Sequence, residues 1–175
     1  IRDRLTPALG VNDVPLVFAG YGISAPGLGY DDFAGVDVRG AAVLVFTHEP
    51  QEGDEHSRFD GRHLTPGAAI SAKAREARER GARLLMVVED PWHLEDRTMR
   101  GSWWMDPQGE AMGMPVVRLA RDRLARALPS FDPTRIGRLI DRTLVPQSRT
   151  LDGISVSYDD LRAQFRAPLR NVLGI

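Results

Sequence analysis

The chain contains no cysteine, which excludes disulfides, thiolate catalysis and Cys-ligated zinc. No apolar stretch is long enough to cross a bilayer: the longest, residues 41–46, falls far short of the roughly 20 residues a spanning helix needs, so no transmembrane segment is expected. Nor is there a charge excess. Lys and Arg number 23 against 24 Asp and Glu, for a formal net charge of −1, leaving no positive field for phosphates, so neither nucleic acid nor an anionic membrane is an expected partner. Lysine is nearly missing, since Lys73 is the only one and every other basic side chain is Arg. That bias reads as coding composition rather than as bidentate anion recognition. Internal repeats and low-complexity segments are also lacking.

What is present is the composition of an ordinary globule, with 42% hydrophobic and 27% charged residues in 175, enough for one well-cored domain. Residues 15–19 read as a first strand, broken by Gly20-Tyr21-Gly22 and the turn-rich residues 24–29; residues 30–33 read as one helical turn. Residues 41–46 form an unalternating β-rich run that suggests a strand buried on both faces. The clearest helix follows a polar loop over residues 48–64. It has Thr65 as N-cap, Pro66 at its first position, Ile70, Ala74 and Ala77 on one stripe, and Gly81 as its left-handed stop. Residues 83–88 read as another buried strand, so a parallel strand–helix–strand unit is expected. Further on come a strand over 114–119, a short helix over 120–128 and a helix capped by Asp132-Pro133. In that last helix Ile136, Leu139, Ile140 and Leu144 recur at helical spacing, and a closing hairpin begins near Ile154.

Metal-ligand residue types are concentrated in one loop, where His48, Glu49, Glu52, Asp54, Glu55, His56, Asp60 and His63 crowd together. The spacing matches neither a helical His-Glu-x-x-His pair nor a calcium loop with alternating carboxylates. The expectation is a solvated polar loop, with a weak structural cation as the minor alternative. Gly22-Ile23-Ser24-Ala25-Pro26 is no nucleophile elbow, because Pro26 stands where a Gly is needed. Gly27-Leu28-Gly29 fails as a dinucleotide loop because Asp32 occupies the third glycine position. The tryptophans Trp103 and Trp104, beside Arg100 and Asp106, are either a recognition surface or, in the plainer reading, a lid over a small satellite core.

Four segments taken in order resemble the protease-associated (PA) domain of bacterial di-zinc aminopeptidase-like metallopeptidases, relatives of glutamate carboxypeptidase and the transferrin receptor. These are Val-Phe-Ala-Gly-Tyr-Gly-Ile over residues 17–23 with Tyr-Asp-Asp-Phe over 30–33; residues 36–45; Phe-Asp-Gly-Arg over 59–62 leading to residues 73–82; and Leu-Arg-Asn-Val-Leu-Gly over 169–174. The resemblance implies an α/β fold with a curved, partly barrel-like mixed sheet and flanking helices. It divides the chain into an N-terminal flank (1–13), a PA domain (14–168) and the start of a truncated peptidase domain (169–175), and the Ile1 start and strand-like end read as cuts. The implied role is non-catalytic: gating substrate access, or mediating protein or peptide interaction, in an exported (periplasmic or extracellular) zinc exopeptidase. The adjoining peptidase domain is the implied partner, and a peptide substrate or partner subunit a further one. The family's His-x-Asp and Glu-Glu zinc motifs do not occur here, so zinc is expected in the peptidase domain and no cofactor in this chain. Within the irregular stretches over 48–64 and 90–113, Arg58, Arg62, Trp103 and Trp104 are the candidate contacts to substrate or partner. The alternative is a free-standing metal-dependent hydrolase built on the loop from His48 to His63.

Overall fold

The computed structural model describes residues 10–61, 63–90 and 113–158. Their core is a five-stranded mixed sheet. Its strands are β1 (Val11–Phe18), β4 (Ala42–Phe46), β5 (Leu84–Val88), β6 (Val116–Leu119) and β7 (Arg149–Tyr158), in the order β6-β5-β4-β1-β7. β1, β4, β5 and β6 run parallel, while β7 lies antiparallel against β1. A two-stranded ribbon, β2 (Ser24–Ala25) with β3 (Tyr30–Asp31), stands apart.

Alternation along the central strands sorts the core into two layers. Phe18, Leu44, Phe46, Leu84 and Val88 point to one face, where they meet Leu124 of helix α2 (Arg121–Ala127) and Ile136 and Ile140 of helix α3 (Pro133–Thr143). Val17, Val43, Val45, Leu85 and Val87 point to the other, against Ala74 and Ala77 of helix α1 (Ile70–Glu79). The sheet is thus covered by helices on both sides, which is why residues 42–46 are all buried and carry no polar alternation.

Most expected elements are present, with local corrections. The parallel unit β4–α1–β5 is there, and Gly81 at φ +86° ends the helix with its N–H on the Arg78 carbonyl. Pro66 opens a 3-10 turn, Pro66–Ala68, rather than α1 itself, whose N-cap is Ala69. Tyr30–Asp31 is a strand and not a helical turn, because Ser24 and Ala25 pair with it. The first strand begins at Val11, ahead of the expected Pro15, because Val11 pairs with Tyr158 and is buried. Pro15 is accommodated because β1 is irregular on either side of it and pairing with β4 starts only at Leu16. Asp132 caps α3 as expected, accepting from the Arg135 N–H at 3.0 Å, but Leu139 on that helix is exposed. No helix among the described residues is long and apolar enough to cross a membrane.

Candidate functional site

The C-terminal ends of β1, β4 and β5 open onto one buried polar cluster. Asp32, Lys73 and Asp90 have no exposed surface, Glu49 has 1% and His48 6%. Lys73 reaches this cluster from the inner stripe of α1. Its Nζ donates to the Tyr21 carbonyl and, at 2.5 Å, to the His48 carbonyl, so one side chain ties the chain after β1 to the chain after β4. Burial pulls the Lys73 ammonium down to about 7, against the opposing pull of Asp32, Glu49 and Asp90.

Asp32 organises the first of these loops. Its Oδ2 accepts from the Tyr21 and Ile23 N–H groups at 3.0 and 3.1 Å, and its Oδ1 accepts from the Tyr30 hydroxyl at 2.7 Å. Desolvation pushes its carboxyl up to about 7, and the Tyr30 hydroxyl, the Ile23 N–H and Lys73 hold it back from going further. The loop's glycine is sterically required: a Cβ on Gly20, at φ +47°, would lie 2.0 Å from Asp32 Oδ1. Glu49 plays the same part for the second loop by accepting from the Thr65 N–H at 3.0 Å and from the Thr65 hydroxyl. Burial raises the Glu49 carboxyl and these bonds lower it.

The segment from His48 to Glu52 folds back on itself, with His48 at φ +57° and Gln51 at φ +59°. Left-handed non-glycine residues cost about 1 kcal/mol or more each and persist where neighbours over-determine them. Here α3 does so: the Gln51 N–H donates to Asp141 Oδ1 at 3.1 Å, Gln51 Nε2 donates to the Asp141 carbonyl at 2.7 Å, and the Tyr21 hydroxyl donates to Asp141 Oδ1 at 3.2 Å. The reversal sets Glu52 Oε2 2.6 Å from His48 Nδ1. Together with Asp90 these residues offer three ligand atoms within 4.8 Å of one another. Beside them lies a cavity of about 320 Å³ whose wall includes Tyr21, Glu49, Glu52, Asp54, Asp141 and Arg142, four carboxylates to one guanidinium.

Arg58 is exposed on the loop over 48–64, and Arg62, Trp103 and Trp104 lie outside the described residues. That loop is not uniformly solvated, which corrects the expectation. His48 and Glu49 are drawn inward by Lys73 and Thr65, and Phe59 packs edge-on against Tyr30 with centroids 5.3 Å apart. His56, Arg58 and His63 are exposed, with Ser57 and Phe59 buried among them. Sequence reasoning overlooked Asp32, Lys73, Asp90 and Asp141. For Lys73 a signal existed: positions 70, 73, 74 and 77 form one helical stripe, so the chain's only lysine stood among apolar neighbours. No protein-family model, no curated protein and no solved structure matches this chain.

Proposed function

We propose that this chain is a non-catalytic PA domain of a zinc-dependent aminopeptidase-like exopeptidase, gating substrate access or mediating protein and peptide interaction. The single observation that carries this reading is that the two ionisable groups moved to about 7, Asp32 and Lys73, are wholly buried and direct their hydrogen bonds at the protein's own backbone and at Tyr30. A group that touches substrate needs a face toward it; these groups instead hold loops in place at the end of a rigid sheet, where recognition is commonly built. The finer parts of the proposal follow from the sequence resemblance: a PA-like, partly barrel-like curvature of the mixed sheet, an exported parent enzyme, and an adjoining peptidase domain that carries the zinc.

The test is replacement of Arg58, Arg62, Trp103 and Trp104 together by Ala in the full natural polypeptide. The reading expects altered KM or cleavage of peptide substrates, and unchanged values for both defeat the gating role. A second reading, metal-dependent hydrolysis by this chain itself, is favoured by the grouping of His48, Glu52 and Asp90. Turnover by the chain alone separates the two.

A further inference from the structure

Buried acids outnumber buried bases among the described residues: Asp32, Glu49 and Asp90 against Lys73 and His48. Buried charge is normally balanced by a partner or by a metal. All three acids face the Lys73 ammonium; Asp32 and Glu49 are also turned to the loop donors described above, and Asp90 stands with His48 and Glu52 in one group of metal-ligating atoms. We propose that His48, Glu52 and Asp90 bind one divalent transition-metal ion, of the Zn²⁺ or Co²⁺ type, which clasps the loop after β4 to the end of β5.

The backbone preorganises two of the three ligands. Phe46 and Val88 are paired across β4 and β5, and His48 and Asp90 each follow two residues later. The Thr47 N–H donates to the Val88 carbonyl at 3.0 Å and the Asp90 N–H to Thr47 Oγ1 at 2.9 Å, so the strand ends are locked together beyond the ladder. Glu52 is delivered by the left-handed reversal that Asp141 stabilises. One imidazole and two carboxylates suit a borderline ion; Ca²⁺ prefers six to eight oxygens. Metal–ligand bonds of about 2.0–2.2 Å set tetrahedral donors about 3.4 Å apart, so the 2.6 Å contact between His48 Nδ1 and Glu52 Oε2 would open by under about 1 Å as the ion replaces the shared proton. Glu52 is 19% exposed and also lines the acidic cavity, which supplies both an entry path and room for solvent on the remaining coordination positions. The ion is a clasp between two strand ends, so this inference does not rest on the accessory-domain reading.

The experiment is titration of the chain with Co²⁺ and with Zn²⁺, followed by calorimetry, by cobalt visible absorption and by thermal unfolding. Expected are one ion per chain, a rise in Tm with excess metal, and a loss of affinity of at least about tenfold in Glu52→Gln and in His48→Gln. His56→Gln is the control, because His56 is 84% exposed and its loss should change nothing. Glu52→Gln keeps the test sound if a buried variant fails to fold. Failure to bind at millimolar metal, unchanged affinity in Glu52→Gln, or an equal loss in His56→Gln would each overturn the proposal.

Discussion

Replacing Lys73 by Met keeps most of the side chain's length and removes its charge, so the outcome isolates what the buried ammonium does. Two charge-assisted bonds, to the carbonyls of Tyr21 and His48, disappear, each worth about 1.5–3 kcal/mol. Relief of the ammonium's own desolvation offsets part of this, while Asp32, Glu49 and Asp90 lose the cation that faces them. Breaking a buried ionic group by deleting one partner typically costs about 3–5 kcal/mol, a large share of the roughly 5–15 kcal/mol that holds a domain together. The loss should also depend on pH, with a sign set by two groups: Lys73, lowered from 10.5 to about 7, sheds its buried charge as pH rises through 7, a relief the Lys73→Met variant lacks, and Asp32 acts in the same direction. Its folded value is raised from 3.8 to about 7, so its contribution to stability is full below its unfolded value and is lost as pH rises through 7. Without Lys73 the carboxyl is pushed still higher, and the cost of ionising it grows. The deficit of Lys73→Met should therefore be larger near pH ~8 than near pH ~5, where Asp32 is already protonated. Urea unfolding of both proteins at the two pH values measures this. A deficit below about 1 kcal/mol, or one larger at the acidic pH, would refute the reasoning.

Three further outcomes follow from the same network. Gly20→Ala should cost at least about 3 kcal/mol, because the new Cβ displaces Asp32 from its backbone donors in a left-handed position; chemical denaturation reads it directly. Asp132→Ala removes the α3 N-cap bond and should lower stability by about 1 kcal/mol with no change in the 48–54 loop, as seen by amide exchange. Tyr21→Phe deletes the hydroxyl bond to Asp141 at a cost of about 0.5–1.5 kcal/mol, and should speed exchange of the Gln51 amide, which shares that carboxylate oxygen.

The strands and helices were legible because their patterning is unambiguous. An unbroken apolar run over 42–46 can be satisfied only between two covered faces, and Asp132-Pro133 and Gly81 mark helix ends through fixed backbone requirements. The Tyr30–Asp31 strand was misread because two residues carry no period, and its identity comes from pairing with Ser24–Ala25. The polar cluster was hidden for a related reason. Asp32, Lys73, Asp90 and Asp141 are scattered over more than one hundred positions, and only the convergence of three parallel strand ends with α1 and α3 brings them together. His48 and Glu52 were visible as ligand types, but Asp90, which completes the group, sits in no motif with them.

The central claim is that this chain supports a reaction carried out elsewhere. Its most direct test is hydrolysis of a panel of aminoacyl and peptide substrates by the chain alone and by the full natural polypeptide, each with added Zn²⁺. The account predicts turnover by the full polypeptide and none by the chain alone, even with the metal site loaded. Zinc-dependent turnover by the chain alone, abolished in Glu52→Gln, would contradict it and place the chemistry in the His48–Glu52–Asp90 group.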